Sequence, residues 1–121
     1  MKEEAVLTAW HEVLAKHATA WCALERALCE HDLGPSEFEV LDRIVSLDCR
    51  SFRVQELADA VHLSQSALSR VVARLEKAGL VSRNSCPADR RGVAVSITDD
   101  GLARHASALP THRAILSEIF S

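Results

Sequence analysis

The chain has 121 residues, 48% of them hydrophobic and 26% charged, which suits one compact domain over 1–121 and excludes a disordered or fibrous chain. No apolar run approaches the ~20 residues of a spanning helix. The opening MKEEAVLTAWHEVL also mixes charges into its apolar residues as no secretory segment does, so a cytoplasmic protein away from membranes is expected. The formal charge of −3 conceals a partition of −6 over residues 1–48, +4 over 49–91 and −1 over 92–121. A basic middle in an acidic chain points to a face that meets a polyanion, with a merely solvated charged face as the alternative.

In chain order, Leu7, Trp10, Leu14, His17, Trp21, Leu24 and Leu28 recur at steps of three and four. This spacing is the seam of a heptad repeat and predicts one long helix. The seam is longer than so small a domain needs, so part of it is expected to pack against a second chain. The stretch LGPSEFEVLDRIVSL predicts a second helix, with Gly34 or Ser36 as cap, Pro35 in the first turn, and Ser36 with Glu39 as a capping box. Its buried stripe is Phe38, Leu41, Ile44 and Val45.

The segment VQELADAVHLSQSALSRVVARLEKAGL predicts two short helices about a turn at His62 and Leu63. Val54, Leu57, Ala58 and Val61 face inward on the first. On the second, capped by Ser64 and stopped at Gly79, the inward stripe is Leu68, Val71, Val72 and Leu75. Its outward face carries Gln65, Ser66, Ser69, Arg70, Ala73 and Arg74, with no acid before Glu76. Small and polar residues let a helix enter the major groove, and Gln and Arg make the paired hydrogen bonds that distinguish adenine and guanine edges.

LVSRNS and VAVSIT then alternate as strands do, and CPADRRG between them has the Pro, Asp and Gly of a turn. A hairpin after a recognition helix is a wing. Its Arg90 and Arg91 are placed to enter the electronegative minor groove, with Asp89 able to restrain one of them by a salt bridge. The fold class is therefore mainly α with a small β-hairpin wing: a winged helix-turn-helix flanked by long N- and C-terminal helices.

SEFEVLDRI, VQELADAVHLSQSALSRVVARLEKAGLVSR and ADRRGVAVSITDDG together resemble the MarR family of winged helix-turn-helix transcriptional regulators, over about residues 33–105. The resemblance implies a homodimer, a palindromic operator on double-stranded DNA, and repression relieved by a small ligand or an oxidant. It carries major-groove contacts onto Gln65, Ser66, Ser69 and Arg70, minor-groove insertion onto Arg91 with Asp89 as support, and phosphate contacts, less strongly, onto Arg53 and Arg83. It divides the domain into dimerisation helices over 1–32 and 99–121 and a DNA-binding lobe over 33–98. Family members normally continue into a further C-terminal helix, whereas this chain stops at RAILSEIFS, so an incomplete interface is expected. Pro110 is expected to kink or break the last helix. Dimerisation would rest on Leu7, Trp10, Leu14, Trp21, Leu24 and Leu28 together with Leu109, Ile115, Leu116, Ile119 and Phe120.

Peroxide sensors of that family support a reactive cysteine with tyrosine hydroxyls, and this chain has no tyrosine. Cys22 and Cys29, ~10 Å apart along one helix, cannot join within a chain and are expected to be buried and structural. Cys86, on the wing, is the candidate reactive thiol. The pairs His105 and His112, and His11 and His17, lack the i, i+4 spacing that lets two imidazoles share a metal, so no metal or other cofactor is expected. The effector expected is a small anionic or aromatic molecule, for which Trp10, His17, Trp21 and Arg43 are the candidate pocket residues. No nucleophile elbow, glycine-rich phosphate loop or paired-carboxylate arrangement is visible, which argues against an enzyme. A redox- or zinc-responsive regulator of the same fold, and a winged-helix module for protein contacts alone, are the alternatives.

Overall fold

Helix α1 (Lys2–Leu28) is free of Gly and Pro, and Glu3 and Glu4 in its first turn and Arg26 in its last complement the helix dipole. It runs into a single 3₁₀ turn, Cys29–His31, and Asp32 ends it in the left-handed conformation at φ 55°. In the computed structural model, residues 2–46, 51–85 and 93–121 are described. Helix α2 (Pro35–Ser46) starts at its proline, where the missing N–H costs nothing because a first-turn N–H has no helical partner. Gly34 therefore stands at the cap position, one of the two residues expected there, and Ser36 lies inside the first turn. Phe38, Leu41 and Ile44 are buried as expected. Val40 joins them, while Val45 is only half-buried.

Strand β1 (Ser51–Arg53) leads into α3 (Val54–Val61) and α4 (Gln65–Lys77), followed by β2 (Val81–Ser85) and β3 (Val93–Ile97). The strands form one antiparallel sheet in the order β1-β3-β2, with Phe52 opposite Val95 on one side of β3 and Arg83 opposite Val95 on the other. The expected hairpin is present, and β1 adds a third strand that local alternation did not announce.

Helix α5 (Asp99–Phe120) is capped by Thr98, whose Oγ1 accepts from the Gly101 N–H at 3.0 Å and donates to the Gly79 carbonyl at 2.7 Å. The helix continues through Pro110, which excludes the break from the expected kink or break. The ring removes one N–H, and buried Ala108 and His112 on either side fix the backbone across it.

The chain divides into two compact units, one of residues 1–35 with 108–121 and the other of residues 36–107. Buried side chains of the first include Ala20, Leu24, Leu28 and Leu33. Those of the second include Phe38, Leu41, Leu57, Leu68, Leu75, Leu80 and Val95.

Candidate nucleic-acid interface

The turn between α3 and α4 is built by the residues that the sequence singles out. His62 takes the left-handed conformation at φ 60°, and the Leu63 N–H donates to the Ala58 carbonyl at 3.0 Å. Ser64 then opens α4 as its cap, its Oγ accepting from the Ala67 N–H at 3.1 Å. Leu68, Val71, Val72 and Leu75 are all at most 4% exposed. At about 1.5–3 kcal/mol for each large apolar side chain buried, this stripe outweighs every other local term and fixes the rotation of α4 about its axis. The opposite face is consequently set: Gln65, Ser66, Ser69, Arg70, Ala73 and Arg74 are all exposed.

These exposed residues are held to different degrees. Arg70 and Arg74 have no hydrogen-bond or ion-pair partner among the described residues, so both guanidinium groups face solvent with their donors available. The Ser66 hydroxyl lies 3.3 Å from that of Ser64. Gln65 is tied to α3: its Nε2 donates to Gln55 Oε1, and Gln55 Nε2 donates in turn to Asp59 Oδ1 at 3.0 Å. Neither Gln55 nor Asp59 is among the residues read from the sequence. The i, i+4 spacing of the two on α3 was the available signal, but their proximity to Gln65 exists only once the turn is made.

Arg83, on β2, leans on α4. Its Nε is 3.5 Å from Glu76 Oε1 and its Nη2 is 3.5 Å from the Ser69 carbonyl. With more than a third of each side chain exposed, this ion pair positions more than it stabilises. Arg53 stands exposed at the cap position of α3, where its backbone N–H donates to Glu56 Oε1 at 3.2 Å. Asp89, Arg90, Arg91 and Cys86, expected on the wing, lie outside the described residues, as does Cys49.

The residues named for an effector pocket fall in different units. His17 stacks on Trp21 with centroids 5.4 Å apart, and Trp10 is 54% exposed. Arg43 belongs to the other unit, where its Nη2 donates to the Ala60 carbonyl at 3.2 Å. A shallow groove on α1 is lined by Ala18, Thr19, Cys22, Ala23 and Arg26, none of which was anticipated.

The heptad seam also divides. Leu7, Trp10 and Leu14 are exposed, as is Phe120, and Trp21, Leu109, Ile115, Leu116 and Ile119 are half-buried. Leu24 and Leu28, at 4% and 0% exposure, are covered within the single chain.

Cys22 and Cys29 are exposed, contrary to expectation, because the buried stripe passes through Leu24 and Leu28 and turns both thiols outward. His105 and His112 are buried. His105 Nε2 lies 2.8 Å from Asp42 Oδ1 and its ring stacks on Phe38 at 5.3 Å, whereas His112 Nδ1 accepts from Arg113 Nη1 at 2.6 Å. Among the described residues, no group of three His, Cys, Asp or Glu side chains is arranged to hold a metal, and no helix is long and apolar enough to cross a membrane.

A family model described as MarR family matches residues 33–93. The HTH-type transcriptional regulator MhqR of Bacillus subtilis (strain 168) is 29% identical over 98 residues, which are 81% of this chain and 66% of that one, just under two thirds of its length. AbsC, a MarR family transcriptional regulator from Streptomyces coelicolor, has a similar solved structure with a TM-score of 0.85 and 31% identity, covering 94% of this chain and 77% of that one. Sco3205, a MarR family transcriptional regulator from the same organism solved in complex with DNA, gives a TM-score of 0.86 and 28% identity over 99% of this chain and 74% of that one.

Proposed function

The chain belongs to the MarR family, and on that premise we propose that it is a sequence-specific DNA-binding transcriptional regulator, a repressor that binds a palindromic operator as a homodimer. The observation that carries this reading is the outward face of α4, on which Gln65, Ser66, Ser69, Arg70, Ala73 and Arg74 are exposed together with no acid among them. An acidic face would repel the duplex. This one supplies small residues for close approach and cationic and amide donors for base edges and phosphates. Arg53, and Arg83 where it leans on α4, supply phosphate contacts. Asp89, Arg90 and Arg91 serve as the minor-groove element of the wing.

Residues 33–98 act in this reading as the DNA-binding lobe, and 1–32 with 99–121 as dimerisation helices. Exposed Leu7, Trp10, Leu14 and Phe120 support a second copy as the partner of the first unit. A two-fold dimer places its recognition helices about one turn of DNA apart, roughly 10 base pairs centre to centre. The effector proposed is a small anionic or aromatic molecule, for which exposed Trp10 and the stacked pair of His17 and Trp21 supply ring surfaces.

Selection from a random duplex pool tests the reading: an inverted repeat should be enriched. Recovery of no preferred sequence would overturn it. On the selected operator, Arg91→Ala should lower the log–log salt slope by about 0.9 for each phosphate that the variant no longer neutralises. Equal slopes for wild type and variant would remove the wing from the interface.

A further inference from the structure

The recognition helix begins with a side chain whose direction is not its own to choose. Gln65, the first residue of α4, donates through Nε2 to Gln55 Oε1, and Gln55 donates through Nε2 to Asp59 Oδ1 at 3.0 Å. A carboxylate only accepts, whereas a primary amide has a donor end and an acceptor end. Asp59 therefore draws the NH₂ of Gln55 toward itself, which turns the Gln55 oxygen toward Gln65. Toward that oxygen, the Gln65 amide can donate only with its NH₂. The charge at one end of the chain of hydrogen bonds thus orders the donor and acceptor ends of both amides.

We propose that Gln55 and Asp59 are positioning residues that hold the Gln65 amide with Oε1 and its second N–H free for a base edge, and so select adenine at that base pair. Adenine offers an N6–H donor beside the N7 acceptor in the major groove, which is the complement of one free oxygen and one free N–H. An unrestrained amide can reverse and present only N–H groups, which suit the N7 and O6 acceptors of guanine or the O4 of thymine. The relay therefore acts on which base is preferred and not on how tightly the backbone is held. It rests on the DNA-binding reading given above.

The test uses the operator selected by the wild-type protein, with Gln65→Ala identifying the base pair that Gln65 reads. Binding to duplexes carrying each base there is compared for wild type, Asp59→Asn and the double variant Gln55→Glu/Asp59→Asn. Wild type should prefer adenine by about tenfold or more, and Asp59→Asn should cut that ratio at least ~3-fold at this position alone. The ratio within one protein cancels any general gain in affinity from removing a negative charge near DNA.

The double variant has the same net charge as wild type. Its carboxylate, now at position 55, accepts both from the amide introduced at position 59 and from Gln65. The adenine preference should return. A merely structural role for Asp59 would move the melting temperature and all four duplexes together, without that rescue. An unchanged ratio in Asp59→Asn, a ratio not restored in the double variant, or a wild-type preference for a base other than adenine at this position would each overturn the proposal while leaving DNA binding intact. A wild-type protein that enriches no sequence would instead overturn the DNA-binding reading and the relay with it.

Discussion

Helices α1 and α4 both repeat apolar residues at steps of three and four, yet they end in opposite states. On α4, Leu68, Val71, Val72 and Leu75 are covered to within 4% of complete burial, whereas on the N-terminal half of α1, Leu7, Trp10 and Leu14 remain 47%, 54% and 45% exposed. The same periodicity is fully covered inside the chain in one case and left about half open in the other. An amphipathic pattern states that a face is to be covered and leaves open by what.

This contrast can be broken most forcefully in the covered region. Leu68→Ala removes a side chain with 0% exposure and should cost about 2–5 kcal/mol, read as a lower denaturation midpoint at unchanged slope. A variant as stable as wild type would mean that the α4 stripe is not what holds the helix. Gly101→Ala should cost somewhat less, about 1–3 kcal/mol. The added Cβ would stand 2.1 Å from the Leu80 carbonyl oxygen and 2.7 Å from Ile97 Cγ1, so the start of α5 has to move off the end of the sheet. Thermal melting at or above the wild-type temperature would show that this approach is loose. Ser64→Ala, which removes the cap of α4, should lower stability by ~1 kcal/mol, and a decrease below ~0.3 kcal/mol would show that the turn holds without the cap.

The smallest effect on the single chain sharpens the other side of the contrast. Leu14→Asp acts on an exposed face and should change the stability of the dissociated chain by no more than about 0.5 kcal/mol. It should nevertheless abolish self-association, measured by sedimentation at micromolar concentration. Association equal to that of wild type would separate the α1 face from the dimer interface.

Much of the structure over residues 33–98 is legible in the sequence because its signals are local. Ser64 before an apolar run, Gly79 after it at φ 78°, and the spacing of Leu68, Val71, Val72 and Leu75 mark both ends of α4 and its rotation. Strand β1 escaped such reading. Three residues carry no period to detect, and they are a strand only because Phe52 and its neighbours meet β3 more than forty positions later. Arg83 looks like a free cation in sequence and lies against Glu76 and Ser69 in the fold.

The helices, the turn between α3 and α4, the hairpin strands and the face that α4 presents each follow from steric and hydrogen-bonding preferences within a few residues of chain, and so were readable before folding. Tertiary structure alone decided that Asp42 meets His105 across 63 positions, that Gln55 and Asp59 reach Gln65, that Cys22 and Cys29 face outward, and that α5 runs unbroken through Pro110. These outcomes depend on where the folded path brings distant segments together, and no local preference encodes a distance between residues that only packing makes neighbours.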